Sequence, residues 1–562
     1  MKKKSFHYSN ERAVQMLIYM LKEYKITKII VSPGATNLNF VASLQYDGSF
    51  ELFSCPDERS AAYMACGMSV ENQEPVVITC TGATASREYL AGLTEAYYRK
   101  IPIIAVTATQ STVNADNLSP QYVDRTVVPK DTVKYSAHIQ FIRGATDEWD
   151  CMLKLNRAFT ELLRNGGGPI HINLTTSYSN QFDVVRLPET RVINRYTVES
   201  VFPTIDKKLK IGISIGAYWK WTDYLSRAID EFCSIYDAVV VTDHASGYFG
   251  EYRIHPTILF AQEMALNNSL LPDLLIHFGE ESADYYTYNA LMNCKEVWRV
   301  SEDGQLRDTF HHLSKVFEMP EYIFFEKFNK NVITEKKYSY LNMWKNELDK
   351  YIWNESMFPF SNIWIASIMT QMIPRGSVVH LGLSNTLRSW SFFDFKEDVR
   401  TYSNVGVRGI DGVLSTMIGA SLENRNTLYF CILGDLTFFY DMNVLGNRHI
   451  GSNIRIIVIN NNGGTEFHLY QHRGFQIMGA EVGKYVAADG HNVDKNDSLI
   501  KSYATALGIK YLCARNKKDF LNAVDVLLTN KDKPVLIEVC TSDENESKAL
   551  QIIRNVWTKK KV

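Results

Sequence analysis

The chain has 562 residues, 46% of them apolar and 22% charged, with a formal net charge of −2. That is the composition of a folded globular protein, long enough for about three or four domains. The charge balance excludes the basic excess of a typical nucleic-acid binder.

The apolar runs, such as IRIIVI at 454–459, are strand-length and fall far short of the roughly 20 residues a membrane span needs. MKKKSFHYSNER at the start is basic but has no apolar segment behind it, which argues against a secretory leader. Nine scattered Cys without a CxxC pair read as reduced thiols of a cytoplasmic protein rather than as a disulfide framework or zinc site.

In chain order, the first third alternates strand and helix. KIIVSPG (28–34), PVVITCTG (75–82), IPIIAVTAT (101–109) and GPIHINL (168–174) read as strands, ERSAAYMACGMSV (58–70) and SREYLAGLTEAYYRK (86–100) as helices. Short apolar strands separated by helices predict a parallel sheet covered on both faces. Ligands of such sheets bind beyond the carboxyl ends of the strands, where SPGAT and CTGAT lie.

A polar connection at about 183–207 leads to a second α/β pattern, with strands at 209–218, 237–244, 272–281 and 296–303. It holds no dense cluster of acid–base or metal-ligating residues. A charged, aromatic stretch at 317–355 reads as helical. A third α/β unit follows, with strands at 376–385, 428–436, 454–464 and 533–541. The prediction is therefore an α/β protein of three doubly wound parallel-sheet domains, 1–182, 183–350 and 351–562, the first and third sharing a layout.

The sharpest local signal is Gly434-Asp435-Leu436 ending one strand and Asn460-Asn461-Asn462-Gly463-Gly464 ending the next. A parallel crossover would place both ends side by side. Asp435, an Asn side chain and a Gly carbonyl could then share one hard cation with diphosphate oxygens, and a helix start after GDL would favour an anion. Ordinary turns use the same residue types. A second signal is Asp57-Glu58-Arg59-Ser60-Ala61-Ala62, an acidic helix start.

Together GDL…NN and DERSAA resemble the thiamine-diphosphate (ThDP) enzymes. YDMN, NNNGG, GPIHINL, PDLLIHFG, Ser384 followed by Arg388, and GIDGVLST at 409–416 are most like the menaquinone-pathway synthases of that family; acetolactate synthase is more distant. The resemblance implies pyrimidine-binding, central and diphosphate-binding domains in that order. It implies ThDP and Mg²⁺ as cofactors, with Asp435, Asn461 and the Gly463 carbonyl as metal ligands. Gly34, Thr81, Gly82, Ser384, Gly434, Leu436 and Thr437 fall at cofactor-binding positions, and Ile410 would support the bent cofactor. Glu58 would hydrogen-bond N1′ of the pyrimidine as an acid–base group. The family supplies its pyrimidine and diphosphate sites from different subunits, so a homodimer or dimer of dimers is implied.

The reaction so implied is decarboxylation of a 2-oxo acid with transfer of the acyl carbanion to a small-molecule acceptor. Alternatives are a simple decarboxylase releasing an aldehyde, the menaquinone-pathway synthase itself, and a non-catalytic cofactor-binding paralogue. Departures bear on the substrate. The synthases' SPGSR is Ser32-Pro33-Gly34-Ala35-Thr36 here, their Arg-Pro falls in Thr107-Ala108-Thr109-Gln110-Ser111, and their Asn-Arg before GIDG is Asn404-Val405. Ala, Thr, Gln or Val cannot replace a bidentate guanidinium fork. Arg388 is retained, and Arg87 and Arg408 are candidate substitutes for the lost forks. Gln121 in SPQYVDR matches a family glutamine that contacts the reacting intermediate. Glu466 stands where the synthases have an apolar residue, and His468 and His472 are proton-transfer candidates nearby.

Overall fold

The computed structural model describes residues 7–114, 117–263, 268–330, 335–396, 398–492, 496 and 498–557. The first sheet orders its six strands as Glu51–Ser54, Lys28–Val31, Val76–Cys80, Ile103–Thr109, Ile170–Thr175 and Tyr135–Ile139. All its pairings are parallel. The central strands Val76–Cys80, Ile103–Thr109 and Ile170–Thr175 are buried at every position. They are Val/Ile-rich without alternation because helices cover both faces.

The third sheet runs Arg400–Tyr402, Val378–Leu381, Tyr429–Gly434, Ile454–Asn460, Val535–Cys540 and Lys510–Ala514, again parallel. Counted along the chain, both sheets have the order second, first, third, fourth, sixth, fifth, so the layout shared by the first and third sequence segments is a shared topology. Between them in sequence, another parallel sheet contains, in order, Arg253–Ile254, Val239–Val241, Ile211–Ile215, Leu274–Phe278 and Glu296–Ser301. The α/β prediction with three parallel sheets holds.

By packing, the chain groups into two compact units. One is Met1–Tyr196 with Gln305–Asp308 and Ser314–Val316; the other is Thr197–Gly304, Thr309–Leu313 and Phe317–Val562. The stretch 317–355 is less uniform than its sequence suggests. It opens within strand Leu313–Glu318, and its helices are Glu321–Asn329 and Ser339–Leu348. None of the nine cysteines is in a disulfide among the described residues. No described helix is long and apolar enough to cross a membrane.

Candidate functional site

Strand Tyr429–Gly434 pairs in parallel with Ile454–Asn460, Gly434 opposite Ile459. The GDL and NNNGG turns therefore leave the sheet side by side. Asp435 opens helix Asp435–Asp441 and is buried. Its Oδ1 accepts the Leu436 N–H at 2.7 Å and its Oδ2 accepts the Gly463 N–H at 3.1 Å. No ion pair reaches this carboxylate among the described residues. Burial, opposed only by backbone N–H groups, pushes its carboxyl up to about 7. A buried charge without a counter-charge is costly, and a hard cation held by oxygen ligands would offset that cost.

The ligand set implied by the sequence converges there. Asp435, Asn461 and Gly463 line one cavity of about 100 Å³ with Ser384, Ile410, Gly434, Leu436, Thr437 and Glu466. The neighbouring Asn460 is structural: its amide donates to Glu538 at 2.6 Å. A Cβ on Gly464 would lie 2.8 Å from the Ala487 carbonyl oxygen, and one on Gly463 2.2 Å from Asp489 Oδ1. The contact at Gly464 is with backbone and requires the glycine, whereas at Gly463 the Asp489 side chain can swing aside. Ser384 has φ of +61°, a strained conformation for a residue with a side chain, of a kind that clusters at functional sites.

Ser384 also lines an adjoining cavity with Arg388, Arg408, Tyr285 and Tyr286. Arg388 makes a two-pronged pair with Glu466, Nη1 to Oε2 at 2.6 Å and Nη2 to Oε1 at 2.5 Å. Burial opposes the Arg388 charge, but Glu466 overrides it and holds the guanidinium above its ordinary value. Each of these two candidates thus occupies the other. Arg408 donates to the Ser282 carbonyl at 3.0 Å and lies over the Tyr285 ring. His472 accepts the Gly474 N–H, capping helix Arg473–Met478. His468 sits 2.8 Å from Asp489 and 3.7 Å from Asp543. Both histidines have partners in the surrounding scaffold.

In the first unit, Glu58 opens helix Glu58–Asn72, but the capping is done by Asp57, which accepts the Ser60 N–H at 3.0 Å. Glu58 is half-buried, and its carboxylate makes no hydrogen bond or ion pair among the described residues. Thr36 Oγ1 joins the SPGAT and CTGAT turns: it lies 2.9 Å from Thr81 Oγ1, donates to the Ala108 carbonyl at 3.0 Å and accepts the Gly82 N–H at 2.8 Å. Gly34 packs so tightly on Thr81 that a Cβ would lie 2.2 Å from that residue's Cβ. Thr81, Gly82 and Gln121 line a cleft of about 90 Å³. Arg87 is exposed and donates to the Asp124 carbonyl at 2.7 Å, so it braces the 121–125 loop.

Two model descriptions match the chain: thiamine pyrophosphate enzyme, N-terminal TPP binding domain, over residues 11–128, and thiamine pyrophosphate enzyme, C-terminal TPP binding domain, over residues 384–539. The chain thus carries matches to both binding domains of the thiamine pyrophosphate enzymes. Thiamine pyrophosphate is ThDP under another name. Similar curated proteins include the 2-succinyl-5-enolpyruvyl-6-hydroxy-3-cyclohexene-1-carboxylate synthases of Bacteroides fragilis and Bacteroides thetaiotaomicron. Each is 28% identical over 97% of this chain and 98% of the relative. The synthase of Desulfotalea psychrophila is 25% identical over 91% and 95%.

The N-terminal match contains Glu58 and Gln121 and the C-terminal match contains Asp435 and Asn461. Two further residues emerge only from the structure. Glu546 is buried and accepts the Asn362 N–H at 2.9 Å and the Asn385 amide at 3.3 Å, two residues that line the Asp435 cavity. In sequence it sits in the acidic run DENES, a pattern shared with solvated helix starts. Arg125 is 3% exposed and lines the Gln121 cleft. Nothing in the sequence distinguishes it from a surface arginine.

Proposed function

We propose that the chain is a ThDP- and Mg²⁺-dependent enzyme that decarboxylates a 2-oxo acid and transfers the resulting acyl unit to a small-molecule acceptor. The observation that carries this reading is the buried Asp435 carboxylate, served only by N–H groups and facing the same cavity as Asn461 and Gly463. When bound, ThDP supplies an electron sink for the carbanion left by loss of CO₂. Asp435, Asn461 and the Gly463 carbonyl would hold the cation, and Ile410 would support the cofactor. Glu58, relieved of capping by Asp57, would share a proton with N1′ of the pyrimidine.

The domain reading is pyrimidine-binding before residue 183, central to 350, and diphosphate-binding after it. The active form is a homodimer or dimer of dimers. Leu38, Phe53, Tyr63 and Met64, close in sequence to Glu58, are exposed apolar side chains that suit coverage by a second chain. Nine cysteines outside any disulfide among the described residues suit a reducing compartment such as the cytoplasm.

A second reading is the reaction printed in the relatives' names, favoured by similarity along nearly the whole chain. Against it stand Ala35-Thr36, Gln110-Ser111 and Val405 at arginine positions, and an Arg388 already neutralised by Glu466. Incubation with ThDP, Mg²⁺ and a panel of 2-oxo acids, with CO₂ and products measured, tests the proposal. Turnover of a small 2-oxo acid with a ligated product supports it. An aldehyde as sole product makes the chain a simple decarboxylase. Efficient turnover of 2-oxoglutarate with isochorismate establishes the relatives' reaction, and no CO₂ from any donor leaves a non-catalytic binder.

A further inference from the structure

The cleft beside Gln121 holds a buried arginine that makes no ion pair among the described residues. Arg125 is 3% exposed. Its Nη1 donates to Ser86 Oγ at 3.4 Å and its Nη2 to the Ala108 carbonyl at 3.3 Å. Its Nε is buried without a partner. Both contacts are long for N–H···O bonds, both acceptors are uncharged, and no carboxylate pairs with it among the described residues. The guanidinium lies over Gly82, 3.5 Å from where a Cβ would be. It faces a space lined by Thr36, Thr81, Gln121 and Tyr178.

Such a placement is expensive unless an anion completes it. Buried charges in proteins are paired, and a guanidinium has five N–H donors set in a fork that fits a carboxylate. Here only two donors are used. Of the neighbouring titratable groups, Asp124 acts on the charge only from a distance, without an ion pair, its Oδ1 taken by the Thr126 N–H and hydroxyl; His171 is buried, and burial with Arg125's own charge keeps it neutral, its pKa pulled down to about 3. The exposed Gln121 amide makes no hydrogen bond among the described residues and gives a second donor at the cleft. Arg388 contrasts with this, since its fork is filled by Glu466.

We propose that Arg125 is the carboxylate anchor of the Thr36–Gly82–Gln121 cleft. The anion site stands on this geometry, while the identity of its ligand, a carboxylate of the 2-oxo acid or of the acceptor, rests on the proposed function. Arg125 thereby takes over, from a different position in the chain, the task of the arginines missing at Thr36, Gln110 and Val405.

The full-length chain, with and without ThDP and Mg²⁺, is titrated calorimetrically with pyruvate, with succinate as a carboxylate lacking the ketone, and with inorganic phosphate. The wild type should bind at least one carboxylate more tightly than phosphate. Arg125→Gln should weaken that binding about tenfold or more, the usual scale for losing a hydrogen-bonded charge partner, with ThDP affinity unchanged. Arg125→Lys, keeping charge without the fork, should recover part of the loss. Preference for pyruvate assigns the anchor to the donor, and preference for succinate to a carboxylated acceptor. The proposal falls if the wild type binds neither carboxylate, if phosphate is held equally well, or if a folded Arg125→Gln binds both as the wild type does. Should the Gln variant not fold, an unchanged thermal shift by pyruvate in Arg125→Lys overturns it. Carboxylate binding through Arg125 without ThDP binding would remove the proposed function and leave the anchor standing.

Discussion

Glu58 and Glu466 were both legible as acids in informative positions, but only the structure separates their circumstances. Glu58 has no protein partner among the described residues, because Asp57 caps its helix. Glu58→Gln should therefore leave folding and ThDP affinity nearly unchanged while slowing exchange of the cofactor's C2 proton by about 10²–10⁴. NMR after acid quench reads that exchange, and equal rates in both proteins would make Glu58 a plain helix-start residue. Glu466 is tied to Arg388 with both side chains largely shielded, 17% and 14% exposed. Glu466→Gln should destabilise the fold by about 3 kcal/mol, since breaking one side of a shielded pair strands the other charge. An Arg388→Met/Glu466→Met double variant should recover much of that loss in chemical denaturation. If the single variant is as stable as the wild type, the pair does not govern this pocket. Residue identities were readable at both positions; pairing was not, because it depends on which turns the fold brings together across 78 positions.

At the scale of elements, strand cores were read well because fully apolar runs bounded by Gly, Pro and Asn leave little ambiguity. The stretch 317–355 is helical over Glu321–Asn329 and Ser339–Leu348 but opens in strand for a physical reason: strand Leu313–Glu318 alternates irregularly in burial, and Phe317 packs against Phe324 of the following helix. The helix Asp543–Ile553 shows what element-level reading missed. Its first turn is acidic, yet Glu546 points inward, and burial pushes its carboxyl up to about 7 from its ordinary 4.5. A raised carboxyl favours the folded state below its unfolded value and loses that contribution as pH climbs through the folded value. Stability should thus fall between about pH 4.5 and 7, by on the order of 1–3 kcal/mol from this group alone. Urea titrations at pH 5 and pH 8 should show the difference, and Glu546→Gln should reduce it. An equal difference in the variant would mean that Glu546 ionises freely. On the NNNGG segment, Gly464→Ala would press a methyl on the Ala487 carbonyl at 2.8 Å. The strain of such overpacking is about 1–3 kcal/mol, and calorimetry should register it as weaker Mg²⁺-dependent ThDP binding.

At the scale of the molecule, the first and third sheets repeat one strand order, and in the proposed function each carries half of the cofactor chemistry. Glu58 belongs to the first unit and Asp435 to the second. The proposed oligomer has a consequence that neither half shows alone. If Glu58 of one chain works with Asp435 of another, the variants Glu58→Gln and Asp435→Asn are each inactive for different reasons. In a mixed dimer, one site combines both defects, while the other joins an intact Glu58 to an intact Asp435. Random pairing in a two-fold dimer makes half the dimers mixed, so about a quarter of all sites are restored. Co-expressing the two variants with different tags, purifying the mixture and measuring CO₂ release should give about a quarter of wild-type activity. Isolated mixed dimers should then show about half. If both groups come from one chain, every site in the mixture carries a defect and no activity returns, although the dimers form equally well.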